Sequence, residues 1–336
     1  MPRVLVAYTD EHPVDIVRFR ERIEAEVDTV EMPVENNDAQ ADVVIAALDG
    51  HDGLFVRSGH LPARVFDAAP ALRMVALHGS GYDHVDLAAA TEHGVIITHN
   101  PEGPGPAVVE HTIGFMISLL RDLPRRFEQT AEGDWSAARE MLPELGRQTV
   151  GVIGLGTIGF PVAEALLDAF GAEVIGYDPY LTGERESPIW PRFSREQVET
   201  AGVELVGIDA LFNRASIITI HTPLTSDTDG LVGRDLLERL DGGYVINVAR
   251  GGVVDEPALA AALDEGDVIR AGLDVLTSEP PPADHPLLGR PDVYVTPHVA
   301  SVTDGYLERA AEVGARKLTT GLTGGRPDYV VNPWVF

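Results

Sequence analysis

The sequence contains no cysteine, a single lysine and no long apolar run. Without cysteine, the chain has no disulfide, no thiolate nucleophile and no Cys-ligated zinc or iron–sulfur site. No apolar stretch approaches the roughly 18–20 residues that a membrane-spanning helix needs. The first residues, MPRVLVAYTD, lead directly into a strand-like segment rather than a secretory signal. These absences predict a soluble, cytoplasmic protein.

Basic residues are also scarce relative to acidic ones. The chain has 53 Asp and Glu against 25 Lys and Arg, a formal net charge of −28, and Lys317 is the single lysine. Such a charge repels nucleic acids and anionic membranes, so neither is expected as a partner. At ~1 M salt the Debye length falls to about 3 Å, which relieves self-repulsion. The charge therefore predicts a halophilic source, with an acidic mesophile as the alternative.

The apolar pattern predicts an α/β protein with parallel sheets. β-rich apolar runs alternate with helical stretches, which is typical of this class. In the first hundred residues we predict helices over 14–27 and 63–69. The strands predicted there cover residues 3–8, 42–47, 73–77 and 94–99.

A Pro/Gly-rich segment, NPEGPGP at 100–106, indicates a domain boundary. A helix is predicted over 107–120, a loop over 178–193 and a last helix over 303–320. Further strands are predicted over 149–154, 173–178, 216–221, 244–248, 269–275 and 293–297. We expect two Rossmann-like or flavodoxin-like domains with a cleft between them. One is discontinuous and combines residues 1–103 with 299–336, and the other covers 104–298.

The segment TVGVIGLGTIG carries a dinucleotide-binding pattern. Gly154, Gly156 and Gly159 lie between a predicted strand and a predicted helix, and the next strand ends at Asp178. The alternative is a turn in an unrelated α/β fold. Asp178 is expected to bind the ribose hydroxyls, and a 2′-phosphate ~4 Å away would cost about 4 kcal/mol at an effective dielectric of ~20. NAD is therefore predicted over NADP, although Arg185 in the following loop could soften this preference.

Four further polar residues follow predicted strands of the second series: Arg250, Asp274, Glu279 and His298. Open α/β sheets place ligands at the carboxyl ends of their strands. Arg250 could bind a substrate carboxylate, His298 could exchange a proton with a carbonyl oxygen, and Glu279 could orient the imidazole. This set suits hydride transfer between a nicotinamide and a 2-keto or 2-hydroxy acid. Taken singly, the same residues could be a carbonyl cap, a turn histidine and a solvated carboxylate.

Two other segments contain candidate ligands. In HGSGYDHVD, the amides of Ser80 and Gly81 could form a nest for the substrate carboxylate. The histidines and aspartates of this segment match no metal-ligand spacing, so no metal is predicted. His221 and Thr222 end another predicted strand, where a cofactor-edge role and a structural one are equally compatible with the sequence.

The chain resembles the D-isomer-specific 2-hydroxyacid dehydrogenase family over nearly its whole length. The matching segments include GSGYDHVDL, GVIGLGTIG, NVARGGVVDE, GLDVLTSEPP and TPH. The resemblance implies that Arg250, Glu279 and His298 are catalytic and that Asp274 contacts the nicotinamide. It also implies a homodimer formed through the nucleotide-binding domains, and a cleft that closes around cofactor and substrate. The further cofactor contacts that it implies are Thr157, Ile158, Thr222, Val248 and Ala249.

Departures from the family pattern narrow the substrate. Formate-oxidising relatives carry glutamine in place of Glu279, and phosphite-oxidising relatives carry lysine in place of Ser80. Leu77 replaces the basic residue frequent in phosphoglycerate dehydrogenases, and the chain ends at Phe336 without their regulatory extension. A glyoxylate/hydroxypyruvate reductase or a broader 2-ketoacid reductase is expected. The alternatives are a phosphoglycerate dehydrogenase without a regulatory domain, an NAD-sensing binding protein of the same fold, and another nicotinamide enzyme such as an amino-acid dehydrogenase.

Overall fold

The computed structural model describes residues 1–8, 14–23, 28–33, 40–57, 59–136, 140–185 and 193–336. The chain forms two compact units, one of Met1–Ala107 with Val302–Phe336 and one of Val108–Ser301. Each unit contains a parallel sheet with helices packed against it. The predicted α/β class with two Rossmann-like domains is therefore confirmed.

The first unit is built on a five-stranded sheet with the strand order β2-β1-β3-β4-β5. All neighbouring strands are parallel, and the order is that of flavodoxin-like folds. The strands are β1 (Arg3–Tyr8), β2 (Asp28–Pro33), β3 (Gly53–Val56), β4 (Met74–Leu77) and β5 (Ile96–Thr98). The helices are α1 (Ile16–Ile23), α2 (Gln40–Ala47), α3 (Ala63–Ala68), α4 (Leu87–Glu92) and, from the C-terminal segment, α13 (Asp304–Leu322).

Helix α13 packs closely against the first sheet because two of its residues are glycines. A Cβ on Gly314 would lie 2.3 Å from the ring of Phe55, and one on Gly321 would lie 2.3 Å from Sδ of Met74. A larger residue at either position would force the Phe55 ring or the Met74 side chain to shift within the packed core. The C-terminal segment therefore shares one apolar core with the first hundred residues.

The strand predicted over residues 42–47 was wrong, because this segment is helix α2. Its buried residues Ala41, Val44 and Leu48 follow helical spacing, while Val43 is 41% exposed. A short apolar run does not distinguish the two structures by periodicity alone. The positions in the sheet are taken by β2 and β3, which were not predicted. Residues 24–27 of the first predicted helix lie outside the described residues.

The second unit is built on a seven-stranded parallel sheet with the order β12-β11-β10-β9-β6-β7-β8. The strands are β6 (Thr149–Ile153), β7 (Glu173–Tyr177), β8 (Glu204–Leu205), β9 (Ile217–Ile220), β10 (Gly243–Asn247), β11 (Val268–Leu273) and β12 (Val293–Val295). The remaining helices are α5 (Gly105–Arg121), α6 (Leu123–Ala131), α7 (Gly159–Ala165), α8 (Pro179–Thr182), α9 (Arg195–Thr200), α10 (Ile208–Arg214), α11 (Arg234–Leu237) and α12 (Glu256–Glu265).

The strand order reverses between β6 and β9, and open α/β sheets bind ligands at such a switch point. Strands β9 and β10 are buried along their whole length, as expected for a sheet covered on both faces. The loop predicted over 178–193 contains the single turn of α8, and its residues 186–192 lie outside the described part of the chain. None of the helices in the described residues combines the length and apolar character required to cross a bilayer.

Candidate active site

The turn after β6 has the geometry of a dinucleotide-binding loop. Gly154 has φ +86°, and a Cβ on it would lie 2.9 Å from the carbonyl oxygen of His221. A Cβ on Gly159 would lie 1.9 Å from the oxygen of Gly154, so the start of α7 touches the turn directly. Gly156 is exposed, and its Cβ would meet no described heavy atom within 4 Å. Two glycines thus shape the turn, and the third leaves its backbone open to a ligand. Thr157 and Ile158 follow, half-buried.

Asp178 connects the end of β7 to this turn. Its Oδ2 accepts a hydrogen bond of 3.0 Å from the Leu155 amide, and its Oδ1 accepts one of 3.0 Å from the Tyr180 amide. The carboxylate is therefore fixed beside the glycine turn, as a ribose-binding group requires. Arg185, which sequence reasoning placed as a possible partner for a 2′-phosphate, forms an ion pair with Asp227.

His221 lies beneath the glycine turn and has an unusual environment. Burial lowers the pKa of His221 to about 3, so the ring is neutral. Its Nε2 lies 2.9 Å from Oγ1 of Thr219, and its buried Nδ1 has no hydrogen-bond partner among the described residues. The open amide of Gly156, the fixed Asp178 and this unsatisfied nitrogen at one sheet edge fit a bound dinucleotide. Thr222, Val248 and Ala249 follow β9 and β10 at the same edge.

Arg250 is presented by a turn that the buried Asn247 holds together. The Asn247 side chain accepts a hydrogen bond of 3.0 Å from the Ala249 amide and donates one of 2.9 Å to the Arg250 carbonyl. Asn247 is 1% exposed and ends β10, so the turn begins directly from the sheet. The Arg250 guanidinium is half-buried and donates to the Ala249 carbonyl at 2.8 Å.

Gly251 brings the Arg250 turn into contact with the segment that carries Glu279. A Cβ on Gly251 would lie 2.0 Å from the carbonyl carbon of Leu276 and 2.2 Å from the amide nitrogen of Thr277. These are backbone atoms, which cannot rotate away as a side chain can. Only glycine permits this approach, which keeps the predicted cation and the predicted carboxylate near each other.

Glu279 and His298 form a direct hydrogen bond. His298 Nδ1 lies 2.7 Å from Glu279 Oε2, and Glu279 Oε1 accepts a hydrogen bond of 3.0 Å from the Leu276 amide. Partial burial by itself would raise the pKa of Glu279. The hydrogen bonds from His298 and Leu276 and the charges of His298 and Arg250 outweigh this effect, so the pKa lies below its ordinary value. The carboxylate is thus ionised at neutral pH, and Nδ1 is occupied, which leaves Nε2 of the ring to meet a substrate.

Asp274 holds the turn that presents His298. Its carboxylate is 1% exposed and accepts hydrogen bonds from the Thr296 hydroxyl at 2.6 Å, the Val299 amide at 2.8 Å and the Ala300 amide at 2.9 Å. The amide of His298 donates to the Asp274 carbonyl at 2.8 Å. His298 has φ +54°, a left-handed conformation uncommon outside glycine, which these bonds help to maintain. Asp274 therefore positions His298, and its contact with nicotinamide stays a prediction.

Ser80 and Gly81 lie in the first unit, in the turn after β4. The carbonyl of Ser80 accepts a hydrogen bond of 2.7 Å from His99 Nδ1, and the carbonyl of Gly79 accepts one of 2.8 Å from the Asn100 amide. Burial lowers the pKa of His99 to about 4, so its ring is a neutral donor. The turn is thus fixed in shape, but carboxylate binding by its amides stays a prediction.

Sequence reasoning missed several residues that support this site. Asn247 is marked in the sequence only as a polar residue ending an apolar strand. His111 on α5 gives no sequence signal, yet its Nε2 lies 3.2 Å from Oγ1 of Thr296. Within the described ranges no group of three or more His, Cys, Asp or Glu side chains could hold a metal ion.

The fold and this site define a class of protein. Its members combine a dinucleotide-binding unit with an arginine, a glutamate and a histidine at the ligand-binding edge of that unit's sheet. A family model described as the NAD binding domain of D-isomer specific 2-hydroxyacid dehydrogenases matches residues 113–300. D-3-phosphoglycerate dehydrogenase of Archaeoglobus fulgidus is 38% identical over 262 residues, which are 77% of this chain and 47% of that protein. Glyoxylate reductase of Thermofilum pendens is 36% identical over 279 residues, 81% of this chain and 78% of that protein.

A solved structure is also similar along the whole chain. It is the NADPH-dependent glyoxylate/hydroxypyruvate reductase of Sinorhizobium meliloti in complex with NADP and malonate. The two structures superpose with a TM-score of 0.79 and 29% sequence identity, over 100% of this chain and 98% of the reductase chain. The chain belongs to the D-isomer specific 2-hydroxyacid dehydrogenase family. It spans about half the length of the phosphoglycerate dehydrogenases that it matches.

Proposed function

We propose that the protein is a D-2-hydroxyacid dehydrogenase that uses NAD(H) and works as a 2-ketoacid reductase. The observation that carries the proposal is the 2.7 Å contact between His298 and an ionised Glu279, with Arg250 near enough for its charge to lower the pKa of that carboxyl. A fixed cation, a proton donor and an orienting carboxylate are the groups that ketoacid reduction requires. Membership of the family supports the same reaction.

Each residue of this set has a distinct role in the proposed mechanism. Arg250 binds the substrate carboxylate and polarises the adjacent carbonyl through charge-assisted hydrogen bonds. His298 donates the proton on Nε2 to the carbonyl oxygen, and takes it back in the oxidative direction. Glu279 orients the ring through its hydrogen bond with Nδ1. When bound, the nicotinamide supplies the hydride that adds to the carbonyl carbon.

The test is a steady-state assay of NADH oxidation with glyoxylate, hydroxypyruvate and 2-ketohexanoate. His298→Ala should lower kcat by about 10²- to 10⁴-fold while NADH binding, followed by fluorescence, changes little. His93→Ala, a histidine at the end of α4, is the matched control and should retain full activity. NADH binding without turnover of any ketoacid would favour the NAD-sensing alternative. Turnover that depends on ammonia would instead indicate an amino-acid dehydrogenase.

NAD is proposed as the preferred cofactor. Asp178 places a carboxylate beside the glycine turn, and Arg185 is paired with Asp227, so its charge is already compensated. A 2′-phosphate would meet the Asp178 charge directly. The ratio of kcat/KM for NADH and NADPH tests this preference, and a ratio that favours NADPH, the cofactor of the S. meliloti relative, would refute it.

A phosphoglycerate dehydrogenase activity is the second candidate because relatives of that name share 38% identity with the chain. Leu77 ends β4 just before the Ser80 turn, where a basic residue would be expected to help bind a phosphate. We therefore expect 3-phosphohydroxypyruvate to be a poor substrate. A kcat/KM for it above that of every unphosphorylated ketoacid would reverse the order of the two candidates.

A homodimer formed through the second units is proposed as the working form. None of the nine residues of α6 is buried, and Phe127 on this helix is 69% exposed. Trp135 and Met141, farther along the chain, are 73% and 96% exposed. Large apolar side chains that are this exposed are typical of an interface between copies of a chain. Light scattering should give a dimer mass, and Phe127→Asp should shift it toward the monomer; a monomeric wild type would refute the proposal.

A further inference from the structure

A second histidine–glutamate pair lies in the same unit and has no part in the mechanism above. Nε2 of His285 is 3.0 Å from Oε2 of Glu256, and the two side chains are only 9% and 11% exposed. Glu256 is the first residue of α12, which follows the Arg250 turn. His285 lies six residues beyond Glu279. The pair therefore joins the two segments that carry the proposed catalytic groups.

In each hydrogen bond of this pair, only one of the two atoms can be the donor. The Leu287 amide donates to Nδ1 of His285 at 3.3 Å, so the ring proton must be on Nε2, which donates to Glu256. The other oxygen of Glu256 accepts a hydrogen bond of 2.7 Å from the Thr277 amide. This series of hydrogen bonds begins and ends at a backbone amide, and a backbone amide can only donate. The arrangement therefore requires an imidazole that donates from Nε2 and a Glu256 side chain that accepts at both oxygens.

Glu256 and Glu279 hold two consecutive amides of one short segment. The Leu276 amide donates to Glu279, and the Thr277 amide donates to Glu256. On its other side, the same backbone touches Gly251. The Glu256 carboxylate thus fixes the backbone at Thr277, two residues before Glu279, whose side chain bonds to His298.

We propose that Glu256 and His285 are positioning residues that hold Glu279 at hydrogen-bonding distance from His298. This inference rests on the proposed function, since it assigns these residues to the same reaction. Their contribution passes entirely through Glu279.

Glu256→Gln is the informative substitution because it preserves size but reverses one hydrogen bond. If the Gln oxygen faces Thr277, its NH₂ group faces Nε2–H of His285, and the opposite orientation places NH₂ against the Thr277 amide. Moving the ring proton to Nδ1 would only set it against the Leu287 amide. One donor–donor contact is therefore unavoidable, and the 276–279 segment must shift to relieve it.

The test compares kcat and KM for ketoacid reduction. Glu256→Gln should lower kcat by about 10- to 100-fold, since a displacement of ~1 Å can cost about 10²-fold. KM for the ketoacid should change much less, because Arg250, which binds the substrate carboxylate, is unaltered. Glu279→Gln should lower kcat to a larger extent. Glu265→Gln, on the exposed end of α12, is the matched control and should leave both constants unchanged.

A double mutant separates positioning from a general structural role. If Glu256 acts through Glu279, Glu256→Gln should cause little further loss in a Glu279→Gln background. Losses that multiply, or an unchanged kcat in Glu256→Gln, would overturn the inference. If Glu256→Gln does not fold, His285→Ala takes its place, because it removes the hydrogen bond that orients the Glu256 carboxylate; it should lower kcat in the same way and with the same lack of further loss in a Glu279→Gln background. Full activity in Glu279→Gln itself would refute the proposed function instead.

Discussion

Replacing Gly251 by alanine tests whether the close approach of two backbone segments creates the active site. The new Cβ would lie 2.0 Å from the Leu276 carbonyl carbon and 2.2 Å from the Thr277 nitrogen, whereas ordinary contact begins at 3.4 Å. Either the Arg250 turn or the segment leading to Glu279 must therefore move by about 1.4 Å. Neither can yield through a rotamer change, because the atoms in conflict belong to the backbone.

The size of the effect follows from this displacement. Overpacking of this kind costs about 1–3 kcal/mol of folding free energy, which lowers Tm by roughly 3–10 °C in a unit of this size. The loss of activity should be larger than the loss of stability implies. A shift of ~1 Å between the groups that bind and protonate the substrate costs about 10²-fold in rate.

The assay is kcat/KM for ketoacid reduction at a temperature where both proteins are folded. Gly252→Ala is the matched control because its Cβ would meet only side-chain atoms of Leu224 and Asp229, at 3.2–3.4 Å. It should retain activity within about threefold. If Gly251→Ala also stayed within threefold of the wild type, the coupling of Arg250 to Glu279 through this contact would be refuted.

Three further predictions concern other parts of the chain. Arg250→Lys should raise KM and lower kcat/KM for ketoacids by at least about tenfold, because an ammonium cannot make the bidentate contact; unchanged kinetics would contradict the assigned role. Burial lowers the pKa of Lys317 to about 8 from an ordinary 10.5, so the unfolded chain binds more protons than the folded one between those pH values. The free energy of unfolding should therefore rise by about 3 kcal/mol as the pH increases across that window. Urea unfolding of wild type and Lys317→Met at several pH values checks this, and the same pH dependence of the unfolding free energy in both proteins would refute it. The net charge of −28 predicts that Tm increases as the KCl concentration is raised from about 0.1 to about 3 M. A Tm that does not change with KCl would exclude the halophilic interpretation.

The strands and turns of the second unit could be predicted well because their signals are local. β6, the three glycines and Asp178 lie within thirty or so residues, and each has a backbone reason visible in the sequence. The sheet of the first unit was harder, because 42–47 has the composition of a strand. Its helical state depends on burying Val44 and Leu48 while β2 occupies the sheet position. That choice is made by tertiary packing rather than by the segment.

The candidate site shows the same limit. That Arg250, Glu279 and His298 follow strand ends could be inferred from their positions, since parallel strands bring these ends to one edge. The supporting contacts could not. The bond from His285 to Glu256 joins residues 29 apart, and its direction depends on a backbone amide. Asp274 illustrates the gap most clearly, because its sequence context indicates a ligand contact while its carboxylate already accepts three hydrogen bonds within the His298 turn.

Asp274 also bears on how this scaffold could be redesigned. The hydrogen bonds to its carboxylate come wholly from residues of the second unit, Thr296, Val299 and Ala300. Substitutions in the first unit therefore remove none of these donors. Directed evolution of the scaffold should accordingly spare every donor to the Asp274 carboxylate.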